Sequence, residues 1–371
     1  MRPKSVFSAL LTCALLLCAF PVVKVEANRE VQTSAASAIL YHPASGSILY
    51  EKNADLRRGI ASTTKIVTAL TVLERDEDLD RTVTIPPEAC GVEGSSLYLK
   101  AGETMTVREL LYGLLLASAN DAASALAILD SGTVDRFAER MNETAVSYGL
   151  SDSHFANPHG LDAEDHYSTA KDLAKITAAA LENETFRAIV STKRYAIEGA
   201  DGTSRYLRNH NKMLDLFPGC IGVKTGFTKK CGRCLVTAVE RDGELLIAVT
   251  LNAPNDWNDH AALLEYGFSL LEKRTLLQPG EYTIELPVLN GTAETVSVIN
   301  SEAIELALPK GSPLPERAVK LPRFLAAPLK EGEIVGSVEY ALNGKTVGYS
   351  PLAASVAVGE IKYKKGLFHD R

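Results

Sequence analysis

Apolar residues recur at helical spacing in the segment 66–73, which therefore predicts a helix. Ser62 lies where the N-cap of this helix is expected, because its hydroxyl could accept a hydrogen bond from one of the first unpaired backbone N–H groups. Lys65 stands where a capping box would carry Glu or Gln. Since a cation in the first turn opposes the helix macrodipole, the pattern gives no structural reason for a lysine there.

Similar patterns predict the other elements of the first 274 residues. Two alternating segments, 34–42 and 47–53, flank a turn that contains Pro and Gly and predict a β-hairpin. Alternating residues on both sides of the sequence RDGE predict an antiparallel sheet. Because strands occur at both ends and helices lie between them, we expect an α/β or α+β domain. Helical periodicity predicts four further helices, at 107–129, 134–148, 170–181 and 259–272.

The pattern changes after residue 274. Short apolar segments punctuated by Pro and Gly follow, and they show no helical period. We therefore predict two domains, one at residues 28–274 and a small all-β domain at residues 275–371.

The composition is that of an ordinary globular protein, except at the N-terminus. The 371 residues are 46% hydrophobic and 23% charged. Arg2 and Lys4 precede an apolar run at 6–23, and residues 25–27 suit a signal peptidase, so residues 1–27 are predicted to be a secretory signal peptide. An uncleaved anchor is the alternative, because the run could span a bilayer. We expect action outside the cytoplasm, at the cell wall or the outer face of the cytoplasmic membrane.

Charge and cysteine content restrict the partners. The net charge of −7 becomes about −9 without residues 1–27, which argues against nucleic acid as a partner. Cys231 and Cys234 form a CxxC step, but no second ligand pair accompanies it, so a redox or zinc site is not expected. Packing, or a disulfide with Cys220 or Cys90, is the simpler expectation, since export permits disulfides.

The first motif with chemical potential is the pair Ser62 and Lys65. A serine hydroxyl is a poor nucleophile at neutral pH unless a neighbouring base takes its proton, and a lysine can be that base if burial or a nearby cation lowers its pKa. Residues three apart share one helix face, so Lys65 can reach the Ser62 hydroxyl. The first N–H groups of the helix could stabilise an oxyanion. Because the pair SxxK is common by chance, it needs support from elsewhere in the chain.

The second motif, Ser118-Ala119-Asn120, interrupts an apolar tract. Two polar side chains at this place are costly to bury unless they have partners. A simple turn is the structural explanation. The chemical alternative is that Ser118 relays a proton to a leaving amine and that Asn120 holds a substrate amide.

The third motif is Lys224-Thr225-Gly226, followed by Phe227. On an edge strand, Lys and Thr would present a cation and a hydroxyl to a carboxylate, and Gly would let a substrate backbone approach closely. An exposed strand with a bend would explain the same residues without chemistry.

The three motifs occur in this order within one predicted domain, as they do in penicillin-binding proteins and class A β-lactamases. Flanking sequences narrow the resemblance to the low-molecular-mass penicillin-binding proteins that act as serine D-alanyl-D-alanine carboxypeptidases. The resemblance implies a β-lactamase/transpeptidase-like domain with an antiparallel sheet and a helical cluster, followed by a small all-β domain. It covers nearly the whole chain after residue 27, through ASTTKIVTAL, EGSSLYLKAGE, LLLASANDAA, FANPHGLD, PGCIGVKTGFTKKCGRCLV and the β-rich end.

The resemblance also implies roles for individual residues. Ser62 would be acylated by the penultimate D-alanine of peptidoglycan stem peptides, with Lys65 as general base and Ser118 passing the proton to the departing D-alanine. Water would then hydrolyse the acyl-enzyme without a metal or another cofactor, and β-lactam antibiotics would be covalent inhibitors. The backbone N–H groups of Ser62 and Phe227 would form the oxyanion hole. The implied substrate-binding residues are Asn120, Lys224, Thr225, Gly226 and Phe227.

Four positions depart from the family pattern and affect the expected substrate preference rather than the reaction. Ile60 stands where proline is usual, Ala119 where glycine is common, Phe227 where some members have histidine, and His210 where some have arginine. Many members also end in an amphipathic helix on the membrane surface. The basic end EIKYKKGLFHDR is too short for such a helix, so peripheral contact with anionic lipid is the membrane interaction left open.

Two other functional classes have to be compared with this one. A β-lactamase, or an endopeptidase acting on cross-links, would use the same three motifs. Class A β-lactamases activate water with a glutamate, and Glu164 lacks the asparagine that accompanies it there; the additional β-domain also argues against this class. A zinc peptidase is a different class, but His154, His159 and His166 do not have the HExxH spacing.

Overall fold

The computed structural model describes residues 31–199, 203–342 and 344–362. The predicted signal peptide and the basic end at residues 363–371 lie outside the described residues. No helix in these three ranges is both long and apolar enough to cross a bilayer.

The described ranges contain eight α-helices. They are α1 Lys65–Leu73, α2 Val107–Leu116, α3 Asn120–Ser131, α4 Val134–Ser147, α5 Ala170–Glu182, α6 Glu184–Ser191, α7 Met213–Leu216 and α8 Asp256–Leu270.

The same ranges contain seventeen β-strands. They are β1 Ser37–His42, β2 Ser47–Lys52, β3 Thr82–Thr84, β4 Thr104–Thr106, β5 Arg194–Glu198, β6 Ser204–Arg208, β7 Cys220–Thr228, β8 Gly232–Arg241, β9 Glu244–Leu251, β10 Leu271–Leu277, β11 Thr283–Leu289, β12 Thr295–Asn300, β13 Ile304–Pro309, β14 Glu316–Lys320, β15 Leu325–Ala326, β16 Ile334–Leu342 and β17 Lys345–Ala354.

The first part of the chain is built on a five-stranded sheet in the order β2-β1-β9-β8-β7, with every neighbouring pair antiparallel. Successive strand residues point to opposite faces. Ile39 faces a large apolar core shared with the helices, whereas Leu40 lies against Gly267 of α8. The sheet is therefore covered by α8 on one face and by a helical cluster on the other, which confirms the predicted α+β class. β7 is the edge strand, so part of its backbone is unpaired.

The prediction of a single helix at 107–129 is wrong, because the structure has two helices there, α2 and α3. Thr106 and Glu109 form a capping box at the start of α2. Between the two helices, Ser118 has a φ of +59°, in the left-handed region that ends a helix. The apolar residues continue across this break, since both helices are buried, and for that reason the periodicity alone did not reveal it.

The C-terminal part of the chain is all-β, as predicted. Its six-stranded sheet has the order β14-β16-β17-β12-β11-β15, and β10 pairs with β13 in a separate ribbon. Residues of this sheet and of the ribbon form a second apolar core, distinct from the first. The predicted domain boundary after residue 274 lies within β10, and its position stays a prediction.

The carboxylate of Glu244 links the first part of the chain to the C-terminal β-rich part. Glu244, at the start of β9, accepts a hydrogen bond from the backbone N–H of Ala307 at 3.0 Å and lies 3.0 Å from Nε2 of the buried His42. β13 is therefore anchored directly to the β8–β9 turn.

Candidate active site

The three motifs come together although more than 160 residues separate the first from the last. Ser62, Ser118, Thr225, Gly226 and Phe227 line one cavity of about 350 Å³. The other predicted site residues, Lys65, Asn120 and Lys224, are buried at the base of the same region. A larger cavity of about 810 Å³ lies between the β8–β9 turn, α8 and β13, and none of the predicted site residues lines it.

Ser62 is presented by a short 3₁₀ turn, Ala61–Thr64, that leads directly into α1. The expectation that Ser62 caps the helix is wrong, because it lies inside this turn and its side chain makes no cap hydrogen bond. Ala61, just before it, has a φ of +48°, which is unfavourable for a residue with a Cβ atom. The Thr63 hydroxyl donates to the carbonyl of Ile60 at 2.7 Å and stabilises the turn.

Lys65 is fully buried and its Nζ has three partners. It lies 2.7 Å from Oδ1 of Asn120, 2.6 Å from the carbonyl oxygen of His159 and 3.1 Å from Oγ of Ser62. The first two can only accept a hydrogen bond. A neutral amine has two N–H bonds and one lone pair, so with both N–H bonds engaged its lone pair points at the Ser62 hydroxyl.

The surroundings of Lys65 favour this neutral form. Burial lowers its pKa well below the ordinary value, and the charge of Lys224 lowers the pKa further. Asp121 acts in the opposite direction, because its negative charge raises the pKa of Lys65. The structural reason for a lysine at the helix start is therefore that a buried amine can be kept in hydrogen-bond distance of Ser62.

Asn120, which the sequence predicts to hold a substrate amide, has protein partners for its side chain and its backbone N–H. Its Oδ1 accepts from Lys65, its Nδ2 donates to the carbonyl of Glu93, and its backbone N–H donates to Ser95. Both ends of its amide are thus occupied by the protein. Ser118, two residues earlier, is 5% exposed and lines the cavity, as a proton relay between Lys65 and a leaving group requires.

The third motif lies on the edge strand β7. A Cβ atom on Gly226 would lie 3.0 Å from the backbone nitrogen of Ser62, so glycine lets the strand pass this close to the nucleophile turn without a tight contact. Thr225 lines the cavity and Phe227 is 66% exposed at its edge. Lys224 is almost entirely buried, its Nζ donates to the carbonyl of Thr225, and burial lowers its pKa to about 7.

The wall of the cavity opposite β7 depends on a residue that the sequence did not single out. Asp121 is completely buried and accepts hydrogen bonds from the backbone N–H groups of Leu97 and Leu99, each at 3.0 Å, and from the Ser96 hydroxyl at 2.6 Å. These bonds hold the loop that also supplies Ser95 to the cavity. An acidic residue inside an otherwise apolar tract was the available signal, since a buried carboxylate needs several donors.

Arg233 is a second residue that sequence reasoning missed. It is the cross-strand partner of Phe227, so its side chain lies on the same sheet face as those of Phe227 and Thr225. Its Nη2 donates to Asp256 at 2.8 Å, its guanidinium lies 5.5 Å from the ring centre of Trp257, and it lines the cavity with Ser62. In the sequence, this arginine lies between the two cysteines of the CxxC step, and nothing in that pattern indicates a role for it.

His210 lines the cavity at the position where some family members carry arginine. Burial lowers its pKa, and Lys224 and Lys65 lower the pKa further whenever they are protonated. His210 is therefore neutral at physiological pH, and Arg233 is a permanently charged group at this cavity.

The structure also shows how the histidines, the cysteines and Glu164 are placed with respect to metal binding, a disulfide and a β-lactamase mechanism. No group of three or more His, Cys, Asp or Glu side chains in the described ranges is arranged to hold a metal ion. Glu164 is exposed and lines a neighbouring cavity rather than the one that contains Ser62. The four described cysteines are free thiols, and Cys231 donates to Asp162. The disulfide considered from the sequence is therefore not formed in this structure.

Comparisons with known proteins agree with this geometry. The D-alanyl-D-alanine carboxypeptidase family model matches residues 23–255, and the model of the penicillin-binding protein 5 C-terminal domain matches residues 271–360. D-alanyl-D-alanine carboxypeptidase DacF of Bacillus subtilis is 32% identical over 95% of this chain and 94% of its own length. DacA of Escherichia coli, named as the same kind of enzyme, is 32% identical over 91% and 89%.

Solved structures show the same relationship. The crystal structure of penicillin binding protein 5 from Haemophilus influenzae superposes with a TM-score of 0.63 and 31% identity, and the match covers 89% of this chain and 98% of that one. The likeness includes both the domain with the three motifs and the C-terminal β-sheet. The predicted fold class, a β-lactamase/transpeptidase-like domain followed by a small all-β domain, is thereby confirmed.

Proposed function

The chain belongs to the D-alanyl-D-alanine carboxypeptidase family and is a serine-type carboxypeptidase of that specificity, and from this premise we propose that Ser62 forms the acyl-enzyme with Lys65 as general base. The observation that supports these roles best is the position of the Lys65 amine. Its nitrogen lies within hydrogen-bond distance of two acceptors and 3.1 Å from the Ser62 hydroxyl, so in the neutral form the lone pair is left to face that hydroxyl.

Acylation then proceeds by proton transfer and attack. Lys65 takes the Ser62 proton while Oγ forms a bond to the carbonyl carbon of the penultimate D-alanine. The carbonyl oxygen becomes an oxyanion, which the backbone N–H groups of Ser62 and Phe227 stabilise; one such donor typically contributes about 3 kcal/mol. Asn120 acts in this scheme by orienting Lys65. For Asn120 also to bind a substrate amide, its Nδ2 must leave the carbonyl of Glu93.

Collapse of the intermediate breaks the peptide bond. The proton on Lys65 passes through the Ser118 hydroxyl to the departing amine, so that neutral D-alanine amine leaves and Lys65 is again unprotonated. In the second half-reaction Lys65 takes a proton from water, whose oxygen attacks the ester carbonyl and releases the shortened peptide. Lys65 returns this proton to Oγ of Ser62 as the ester bond breaks, which restores the serine hydroxyl and the neutral amine.

Recognition of the substrate is assigned to the edge strand. Thr225 presents a hydroxyl to the terminal carboxylate, and Lys224 supplies positive potential from beneath the strand. Gly226 and Phe227 provide the backbone along which the extended peptide lies. The substrates are peptidoglycan stem peptides ending in D-Ala-D-Ala, and β-lactam antibiotics acylate the same serine as covalent inhibitors.

The wider biological setting follows from the substrate. Peptidoglycan lies outside the cytoplasm, so we infer that residues 1–27 direct export and that the mature enzyme works at the cell wall or the outer face of the cytoplasmic membrane in cell wall biogenesis and the control of cell shape. We also propose that residues 28–274 and 275–371 are the two domains.

The test compares D-alanine release with penicillin turnover. Wild-type enzyme should release D-alanine from a synthetic peptide ending in D-Ala-D-Ala and should hydrolyse penicillin slowly, after a stoichiometric burst of acylation. Ser62→Ala should lose both reactions, and the matched control Ser191→Ala, on α6 and outside the lining of the cavity, should keep them. Rapid penicillin hydrolysis without peptide cleavage would instead assign the site to a β-lactamase.

A further inference from the structure

A chain of three hydrogen bonds connects His166 to the residue that precedes the nucleophile. His166 Nδ1 lies 3.1 Å from the backbone nitrogen of Ala156, which can only donate, so Nδ1 is an acceptor and carries no proton. The proton of the neutral ring is therefore on Nε2, which lies 2.7 Å from Oγ1 of Thr64. Thr64 Oγ1 lies 2.8 Å from the carbonyl oxygen of Ala61, which can only accept. Each donor in the chain is thus fixed: Ala156 to His166, His166 to Thr64, and Thr64 to Ala61.

The neutral ring that this chain needs is the form present at physiological pH. Burial lowers the pKa of His166 to about 4. Asp165 and Asp162 oppose this effect, whereas His154 and Lys65 add to it whenever they are protonated.

The end point of the chain is a peptide group in an unfavourable conformation. Ala61 is buried and has a φ of +48°, a conformation that is unfavourable for a residue other than glycine. Gly160 of the same loop passes close to this carbonyl, since a Cβ atom on Gly160 would lie 2.0 Å from the oxygen. The Ala61 carbonyl therefore accepts a hydrogen bond from the Thr64 hydroxyl on the side where the loop from 155 to 166 packs against it.

The direction of the Ala61 carbonyl determines the direction of the next N–H group. The peptide group between Ala61 and Ser62 is planar and trans, so its C=O and N–H bonds point in opposite directions. Since the Ala61 carbonyl points towards Thr64 and Gly160, the N–H bond of Ser62 points away from the loop. The backbone nitrogen of Ser62 lies beside Gly226 of the edge strand, at the cavity.

We propose that His166 is a positioning residue for the reaction: through Thr64 it holds the Ala61 peptide group so that the N–H of Ser62 is aimed at the developing oxyanion. His166 is 5% exposed and is not among the residues that line the cavity with Ser62, so it acts through Thr64 and not on the substrate. The inference rests on the proposed function, because it takes Ser62 as the nucleophile.

The test uses two pairs of variants that separate the hydrogen bonds from the packing. His166→Asn keeps an acceptor near the position of Nδ1 and removes the donor to Thr64, whereas His166→Gln places an amide N–H near the position of Nε2. Thr64→Val removes the hydroxyl at nearly constant shape, and Thr64→Ser keeps it. The quantities measured are the penicillin acylation rate, kcat and KM for a D-Ala-D-Ala peptide, and Tm.

We expect His166→Asn and Thr64→Val each to lower the acylation rate and kcat by about 10-fold or more, less than the loss of a whole oxyanion donor. KM should change by no more than about two-fold, since the oxyanion exists only after binding. His166→Gln and Thr64→Ser should recover most of the rate. The double variant His166→Asn/Thr64→Val should be hardly slower than either single one, because both substitutions break the same chain.

Two results would overturn the inference. One is a wild-type kcat in His166→Asn or Thr64→Val, even with a lowered Tm, because His166 would then serve stability alone. The other is a double variant in which the two losses multiply, because the residues would then act independently. Failure of the proposed function has a different signature, namely penicillin labelling of Ser62→Ala. If His166→Asn does not fold, the comparison of Thr64→Val with Thr64→Ser tests the inference by itself.

Discussion

Nζ of Lys65 lies 3.1 Å from Oγ of Ser62, and its two other partners can only accept hydrogen bonds. A side chain that remains charged cannot act as a base in this place. Lys65→Arg should therefore lower the rate of penicillin acylation by about 10²–10⁴-fold, as expected for the loss of a general base. Lys65→Met, which keeps most of the stem but has no nitrogen, should show the same loss, and Lys175→Arg on the exposed face of α5 should have none. Wild-type acylation by either Lys65 variant would exclude Lys65 as the base.

The charge of Lys224 should be visible in the pH dependence of acylation. Burial is the main cause of the lowered pKa of Lys65, and Lys224 is the second. Lys224→Met removes a like charge, so the pKa of Lys65 should rise and a smaller fraction of the amine should be neutral at a given pH. The acid limb of the acylation rate should accordingly move to higher pH.

This shift should be clearest where Lys224 itself is charged. Its pKa is lowered to about 7, so the comparison with wild type is best made on the acid side of pH 7. The measurement is the second-order rate constant for acylation by penicillin, which reports the free enzyme. A limb that stays in place or moves to lower pH would show that Lys224 does not act on Lys65.

Arg233 should discriminate substrates by their terminal carboxylate. It shares a sheet face with Thr225, lines the cavity and keeps its charge at every pH of interest. Arg233→Gln should lower kcat/KM for a peptide ending in D-Ala-D-Ala by about 10- to 100-fold, the value of a charge-assisted hydrogen bond. The same peptide with a terminal carboxamide should be affected little.

Lys212→Gln is the matched control, because Lys212 is another cationic side chain that lines this cavity. It should leave the preference for the carboxylate intact. An equal loss of kcat/KM for the carboxylate and the carboxamide peptide in Arg233→Gln would show that Arg233 supports the structure and does not read the substrate.

His260 should make folding stability depend on pH. Its ring is completely buried between the hydroxyls of Thr237 and Thr250, and burial lowers its pKa to about 3. Below an ordinary pKa of about 6.5 the unfolded chain binds a proton that the folded protein does not, so stability falls as the pH decreases towards 3. At pH 5 this residue alone should account for about 2 kcal/mol of lost stability.

Urea unfolding at pH 7.5 and pH 5 measures this effect. In His260→Gln, the free energy of unfolding should differ less between the two pH values than in wild type, although the variant is less stable at pH 7.5. A difference as large as that of wild type would assign the acid sensitivity to other groups, such as His159 and His166, whose pKa values are also lowered.

The sequence was sufficient to predict the fold class, because periodicity is a local feature, and to predict one site for the three motifs, because their order and flanking sequences resemble a known family. The sequence was insufficient where contacts between distant parts of the chain determine a side chain's partners or a backbone conformation. The amide of Asn120 meets Lys65 and Glu93, the left-handed Ser118 divides an apolar tract, and Ala61 adopts a positive φ under a loop that lies about 100 residues further on. None of these follows from propensity, since tertiary packing overrides it.

Arg233 and His166 show a second kind of limit. Both lie in segments whose histidines or cysteines suggest metal binding or redox chemistry, and only the structure shows their actual partners, Asp256 and Thr64. A side chain's role depends on what its atoms face, and sequence spacing does not give that.

The most direct test of the proposed mechanism is to locate the covalent adduct. Enzyme treated with penicillin should gain the mass of one molecule per chain, and peptide mapping should place it on Ser62. Ser62→Ala should gain no mass, and Lys65→Met should gain it only very slowly. An adduct on a different residue, or stoichiometric labelling of Ser62→Ala, would contradict the assignment of Ser62 as the nucleophile.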